Sequence, residues 1–128
     1  MSYRVARNTN PQIAILSFSS ASAGLVTFAD VNGQFSISGV GSNVLTLEAG
    51  YEYFITSSPA TTSATAATFY HVVNGVDGRS DSIVATSNSS GLDQKTESIQ
   101  ADASVTFSLF CSEATSSNSR LEIWRTSK

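Results

Sequence analysis

Apolar and polar residues alternate at every second position along most of this chain, which is the period of a β-strand with one buried face. In the segment SVTFSLFC, for example, Val105, Phe107, Leu109 and Cys111 share one face, and serine and threonine occupy the other. Helix signals are nearly absent, since the one alanine-rich stretch, SPATTSATAATF, contains an early proline and many β-branched threonines. The sequence therefore predicts an all-β fold.

Turn residues separate the alternating runs, so we expect about eight to ten short strands in one antiparallel β-sandwich. The run PQIAILSFSS predicts a long first strand with apolar residues on both faces. The next run, LVTFADVNGQFSISG, predicts a hairpin in which Val26 and Phe28 lead into a positive-φ turn at Asn32-Gly33, and Phe35 and Ile37 lead back. A later aromatic strand, ATFYHVV, is followed by two turn signals, NG and DG.

The segment LTLEAGYEYFITSSPA looks like one strand that stops and starts again in the same phase. Counting in twos from Leu45 and Leu47 leads to Tyr53 and Ile55, so all four side chains fall on one face. Gly50 falls on the opposite face, where a side chain is missing. A glycine in this position predicts a bend or bulge at a corner of the sandwich.

Composition narrows the classes of function. Charged residues make up 13% of the 128 residues and the net charge is -3, so we expect no nucleic-acid partner. No apolar run reaches the length of a membrane helix, so we expect no membrane contact. The N-terminus lacks a secretory signal, and the single cysteine excludes an internal disulfide. We therefore expect one domain made in a cytoplasm, with an N-terminal arm at residues 1–10 and the sandwich at residues 11–128.

Few side chains could carry out catalysis. His71 shares a strand face with Phe69 and Val73, which predicts a half-buried, hydrogen-bonded sheet histidine, and Cys111 continues an apolar face as a small buried hydrophobe. The acids are scattered and lack the ligand spacing of a calcium loop. We therefore expect no metal, no cofactor and no enzymatic activity. A small hydrolase stays possible only if His71 and Cys111, or two carboxylates, meet in a pocket.

Large rings occur on the second face of several predicted strands. Tyr70 and Trp124 lie opposite the better core faces of their strands, and Phe54 lies opposite Tyr53. Rings in such positions need cover, either from a second layer of the same chain or from another subunit. Because tyrosine and tryptophan are enriched at subunit contacts, we predict an oligomer interface. The predicted interface residues are Tyr53, Phe54, Tyr70, Trp124 and Arg125.

The segments LTLEAGYEYFITSSPA, SVTFSLFC and RLEIWRTSK, in this order, resemble a pattern of bacteriophage virion proteins. Those proteins are small trimeric jelly rolls of the tumour-necrosis-factor and complement-head type, found at fibre tips and as knobs on capsids. The resemblance covers Val44 to the C-terminus and implies an antiparallel jelly-roll sandwich that forms a homotrimer. It also implies that Tyr51 and Tyr53 lie in an inner strand, and that the closing strand with Trp124 lies near the threefold axis.

The resemblance implies a non-enzymatic structural protein on the virion surface. Because the residues before Val44 look like strands rather than a fibrous shaft, we expect a capsid decoration protein that stabilises the shell. Tyr3, Arg4 and Arg7 in the arm are its predicted contacts with the major capsid protein. The alternative is a receptor- or carbohydrate-binding head of a tail fibre, in which the loops NGVDGRSD and SNSSGLDQ would help to bind a host-surface glycan.

Overall fold

A computed structural model of the chain describes residues 11–61, 66–85 and 94–128. These residues form eleven β-strands and one short 3-10 turn, Arg79–Asp81. In chain order the strands are β1 (Gln12–Ser20), β2 (Gly24–Leu25), β3 (Thr27–Gly33), β4 (Leu45–Leu47), β5 (Tyr51–Ser58), β6 (Ala67–Val73), β7 (Val76–Asp77), β8 (Ile83–Ala85), β9 (Lys95–Ala101), β10 (Val105–Cys111) and β11 (Thr115–Ser127).

The strands form two sheets that face each other. The five-stranded sheet has the order β3-β1-β11-β5-β9, and the six-stranded sheet has the order β2-β10-β6-β7, with β4 paired to β10 and β8 paired to β6. Every pairing between these strands is antiparallel. The predicted all-β antiparallel sandwich is therefore confirmed. The strand number exceeds the prediction because β2 and β7, of two residues each, are too short to give a pattern in the sequence.

The core fills the space between the sheets with the inward residues of both. Phe18 of β1 stacks on Phe69 of β6 across this space, with ring centroids 5.9 Å apart, and meets Phe28 edge to face at 6.4 Å. The predicted inward face of β10 is also buried, including Phe107 and Cys111. Alternation along each strand therefore decides which residues leave water, and burial of these large side chains stabilises the sandwich.

The interruption at Gly50 is the point where the chain passes from one sheet to the other. β4 belongs to the six-stranded sheet and β5 to the five-stranded sheet, and Gly50 between them has φ +94°. This conformation is strained for a residue with a Cβ atom. Its N–H donates to the carbonyl of Ala101 at 2.8 Å, and its carbonyl accepts from Lys128 N–H at 3.0 Å. The predicted bend at a sandwich corner is confirmed.

The predicted hairpin turn at Asn32-Gly33 is wrong. β3 continues through both residues, which pair with Ile15 and Ala14 of β1, and Gly33 is not among the glycines with positive φ. Gly33 is needed for close packing instead, since a Cβ atom here would lie 3.0 Å from the Cα of Ala14. By contrast, Asn74 and Gly75 have φ 51° and 74° and form the predicted turn between β6 and β7.

Candidate functional site

Three apolar side chains lie side by side on the outward face of the five-stranded sheet. The strand register places Ile13 of β1 opposite Trp124 of β11, and Trp124 opposite Phe54 of β5. We call these three residues the aromatic row. Phe54 is 48% exposed and Trp124 is 37% exposed. The row lies on the three central strands of the sheet, so its rings meet water across a face rather than along an edge.

An open groove of about 690 Å³ runs beside the two rings. Pro11, at the start of the described chain, lines one part of it. Glu52, Ser98 and Gln100 supply polar groups, and no side-chain hydrogen bond or ion pair joins these three to another described residue. The groove therefore offers two aromatic surfaces and several donors and acceptors that no described residue uses.

Tyr70 also points outward, from β6 of the six-stranded sheet, but the chain itself covers its ring. Phe110 stacks on the ring with centroids 4.8 Å apart. The Arg79 guanidinium lies 5.6 Å from the ring centroid and donates to the Tyr70 hydroxyl at 3.4 Å. Tyr70 is consequently only 5% exposed. We predicted an interface role for Tyr70 because its outward ring would need cover from another subunit. In this structure Phe110 and Arg79 already cover the ring.

Tyr53 lies on the inward face of β5 and is 3% exposed. Its hydroxyl donates to the backbone carbonyl of Glu48 at 2.7 Å, and burial raises the pKa of Tyr53 above its ordinary value. This inward position agrees with the inner strand that the resemblance implies for Tyr53. It does not agree with a contact to a second subunit, because the ring is already buried within its own chain.

Arg125 lies between two aromatic rings of its own chain. Its guanidinium carbon is 4.0 Å from the Phe35 ring centroid and 3.9 Å from that of Tyr51. Its Nε donates to Gln12 Oε1 at 2.9 Å, and its Nη1 lies 3.6 Å from a carboxylate oxygen of Glu48. These contacts join β1, β5, β11 and the segment after β3. Arg125 therefore connects several elements of its own chain, whereas we predicted an interface residue.

Three polar side chains form a connected row between the two sheets, with Ser57 and His71 buried and Glu97 33% exposed. The Ser57 hydroxyl oxygen lies 2.6 Å from His71 Nε2, and His71 Nδ1 lies 3.2 Å from Glu97 Oε1. Burial lowers the pKa of His71 to about 3, so the ring is neutral at pH 7. A neutral ring satisfies both contacts when Nδ1–H donates to Glu97 and Nε2 accepts from Ser57. The order of groups is that of a serine–histidine–acid triad.

This arrangement lacks access for a substrate. Ser57 and His71 are both buried, and neither the groove beside Phe54 nor the cavity beside Phe35 reaches them. Cys111 does not meet His71, since it lies opposite Phe69 in the strand register, and burial raises the pKa of its thiol. The described part of the chain contains no group of three His, Cys, Asp or Glu residues that could hold a metal ion. The predicted hydrogen-bonded sheet histidine is confirmed at His71, but the residue is fully buried, whereas we predicted it to be half-buried.

Sequence reasoning missed the row of Ser57, His71 and Glu97 because its three members come from β5, β6 and β9. One signal was present: Ser57 and Glu97 fall in the inward phase of their strands, with Ile55 and Ile99 respectively. Tyr3, Arg4 and Arg7, the predicted capsid contacts, lie outside the described residues, so their role stays a prediction. No helix among the described residues is long and apolar enough to cross a membrane.

Comparison with known proteins relates this chain to others through its fold. No family model and no curated protein sequence matches it. Among solved structures it is similar to the crystal structure of murine APRIL at pH 8.0, a member of the tumour-necrosis-factor family, with a TM-score of 0.56 and 9% sequence identity. The match covers 91% of this chain and 99% of the APRIL chain. The fold is a tumour-necrosis-factor-like jelly roll. At this identity the match confirms the predicted fold and carries no statement about role.

The position of Arg125 leads to a prediction about stability. Replacing Arg125 by Lys should lower the free energy of unfolding by about 1–2 kcal/mol, because an ammonium group cannot stack on Phe35 and Tyr51 as a planar guanidinium does. Urea unfolding would measure this change. Arg120→Lys on the same strand is the matched control, since its contact with Glu122 is a half-exposed ion pair at 3.7 Å. An equal loss of unfolding free energy in the two variants would contradict the stabilising role of Arg125.

Proposed function

We propose that this chain is a non-enzymatic structural protein of a bacteriophage particle, a homotrimer that decorates the capsid and stabilises it. The observation that carries the proposal is the aromatic row on the five-stranded sheet, which the described residues leave exposed: Phe54 is 48% and Trp124 37% exposed. The phage setting is supported by the resemblance in the sequence from Val44 onward. The trimer is supported by the aromatic row and by the resemblance.

The aromatic row has the composition of a subunit contact. Apolar rings occupy its centre, and Glu52, Ser98 and Gln100 lie around them as a polar rim. Burying a fully exposed aromatic side chain removes about 150–250 Å² from water. Because Phe54 is 48% and Trp124 37% exposed, a second subunit on this face would remove less than half of that area for each ring, and the two together would gain a few kcal/mol. In a cyclic trimer each subunit presents this face to a different surface of its neighbour, and the ring of three closes.

The N-terminal arm fits a role in holding the trimer on a shell. Pro11, the first described residue, lines the groove, so the described chain begins beside the proposed contact face. Tyr3, Arg4 and Arg7 of three arms would bind neighbouring subunits of the major capsid protein. A trimer attached in this way adds buried area between capsid subunits, and binding to the assembled form stabilises that form. The protein would then lie on the virion surface.

The aromatic row predicts the solution mass. The unaltered protein should have about three times the mass of one 13.5 kDa chain in light scattering after size exclusion. Trp124→Ala should weaken association at least about tenfold, because it removes a large ring from the centre of the contact. Val84→Ala is the control, since Val84 is 59% exposed on the other sheet and should leave the mass unchanged. A single-chain mass for the unaltered protein would refute the trimer.

The arm predicts a separable binding function. Deletion of residues 1–10 should abolish binding to empty capsids while the circular dichroism spectrum and the mass of the oligomer stay unchanged, because the arm precedes β1. Co-sedimentation with capsids would measure the loss. Trp124→Ala keeps the arm but should be a single chain at low concentration. In the same assay it therefore measures the loss of binding that comes from loss of trivalency alone. Full capsid binding by the shortened protein would assign the shell contact to the sandwich.

A second candidate is a carbohydrate-binding head of a tail fibre. The groove favours it, because an exposed ring can stack on the apolar face of a sugar while Glu52, Ser98 and Gln100 bond its hydroxyls. Of the loops predicted to help, NGVDGRSD is described and exposed at Asp77 and Arg79, whereas SNSSGLDQ lies almost wholly outside the described residues.

The second candidate is tested on a glycan array. It predicts a signal for a host-surface glycan that Phe54→Ala removes and Val84→Ala keeps. A signal that Phe54→Ala leaves intact would place sugar binding elsewhere on the chain. Binding to empty capsids without any glycan signal would favour the decoration role.

A further inference from the structure

The chain holds one of its own arginines in a site made of two rings, a carboxylate and an amide. The Arg125 guanidinium carbon lies 4.0 Å from the Phe35 ring centroid and 3.9 Å from that of Tyr51. A Glu48 carboxylate oxygen lies 3.6 Å from Nη1, and Gln12 Oε1 accepts from Nε at 2.9 Å. The rings attract the cation through their π faces, and the oxygens attract its N–H groups. This set of four groups therefore binds a guanidinium within the fold.

The groove beside the aromatic row presents the same four kinds of group. Trp124 and Phe54 supply two rings, Glu52 supplies a carboxylate and Gln100 supplies an amide. Among the described residues no arginine or lysine lies over either ring, in contrast to the rings around Arg125. The groove thus has the composition of a guanidinium site to which the described part of its own chain contributes no cation.

The strand register places these groups at distances that one guanidinium can bridge. Glu52 lies opposite Gln100 and one outward position along β5 from Phe54, which lies opposite Trp124. On one sheet face, directly opposite residues have Cβ atoms about 5 Å apart, and diagonal residues are about 7–8 Å apart. A cation is attracted to a ring whose centroid lies within about 6 Å. A guanidinium bound to Glu52 can therefore stack on a neighbouring ring at the same time.

The charge of the groove favours a cation over an anion. No ion pair joins Glu52 to another described residue. Arg125 also lines the groove, but its side chain is only 10% exposed and lies beside Glu48. A carboxylate or phosphate would consequently meet Glu52 without a free cation nearby. Among cations, a planar guanidinium stacks on a ring and donates several hydrogen bonds at once, whereas an ammonium group does not stack.

We propose that the groove binds an arginine side chain of another subunit, with Trp124 and Phe54 against the guanidinium and Glu52 accepting its hydrogen bonds. The source is a neighbouring copy of this chain, and this assignment of the source rests on the proposed trimer. The preference of the groove for a guanidinium does not rest on the trimer, because the groups that line the groove all come from one chain.

Two described arginines of a neighbouring copy are candidates for the side chain. The Arg79 and Arg120 side chains are 72% and 53% exposed, and each has an ion pair with an acid of its own chain, at 3.1 Å and 3.7 Å respectively. Surface pairs of this kind contribute little to stability, so a guanidinium can exchange one for a site with rings. Arg79 also covers the Tyr70 ring, and its release would uncover that ring. Arg120 is therefore the first candidate.

The fluorescence of Trp124 tests the chemistry of the site. Trp124 is the only tryptophan of the chain, so selective excitation of tryptophan reports on the groove alone. N-acetyl-arginine amide would be compared with N-acetyl-citrulline amide, which has a similar shape but no charge, at protein concentrations that give single chains. We expect the arginine compound to bind at least about fivefold more tightly. Equal affinities, or no change in fluorescence with either compound, would overturn the site.

Two variants locate the binding. Glu52→Gln should remove most of the preference for the arginine compound, because it keeps the shape of the side chain and loses the charge. Glu113→Gln is the matched control, since it removes the same charge from the turn between β10 and β11, outside the lining of the groove. A preference that survives in Glu52→Gln, or that falls equally in both variants, would refute the role of Glu52.

A double-mutant cycle tests the source of the arginine. Light scattering over a range of concentrations would measure association. Glu52→Gln and Arg120→Gln should each weaken association at least about threefold, and the double variant should be no weaker than either single variant. If Arg120→Gln has no effect, Arg79→Gln should show this coupling instead. A trimer that neither arginine variant weakens would refute the neighbouring copy as the source.

The two measurements separate the site from the proposed function. A single-chain mass at every concentration, together with a preference for the arginine compound, would refute the trimer and the assigned source but keep the guanidinium site. A trimer whose separated chains show no such preference would refute the site and leave the trimer standing.

Discussion

The burial of two inward sheet faces against each other is the constraint on which the rest of this structure depends. Phe18 and Phe69 meet across that space from strands of opposite sheets, so each sheet needs the other to keep its rings out of water. A chain that builds both sheets must pass between them. It does so at Gly50, where φ is +94° and both backbone groups of the bend are bonded to neighbouring segments. A polar group inside this layer needs a partner inside it as well.

Local patterns allowed the strands to be predicted, because alternation and turn chemistry act over a few residues. The inward face of β10 and the turn at Asn74-Gly75 are examples. The same reasoning failed at Asn32-Gly33, since an Asn-Gly pair serves equally for a tight turn and for a close approach of two strands. Only the position of Ala14 on the neighbouring strand, nearly twenty residues earlier, decides between these uses.

The candidate site was only partly predictable for a related reason. A strand pattern identifies which rings point outward, but not which of them the chain later covers. Arg79 covers Tyr70, and the Arg125 side chain packs between Phe35 and Tyr51. Both contacts depend on the tertiary structure and not on a local pattern. Phe54 and Trp124 lack such cover among the described residues, and the proposed contact face therefore rests on these two rings.

β9 links the interior of the sandwich to that face through the alternation of a single strand. Glu97 points inward to the buried histidine, and its neighbour Ser98 points outward, opposite Phe54 in the register. Because the two residues share one backbone, a shift that moves Glu97 away from His71 also moves Ser98 away from the aromatic row. An edge strand has hydrogen-bond partners on one side only, so such a shift costs less here than in any interior strand of the same sheet. The contact between Glu97 and His71 and the place of Ser98 beside the aromatic row therefore depend on the same edge-strand backbone.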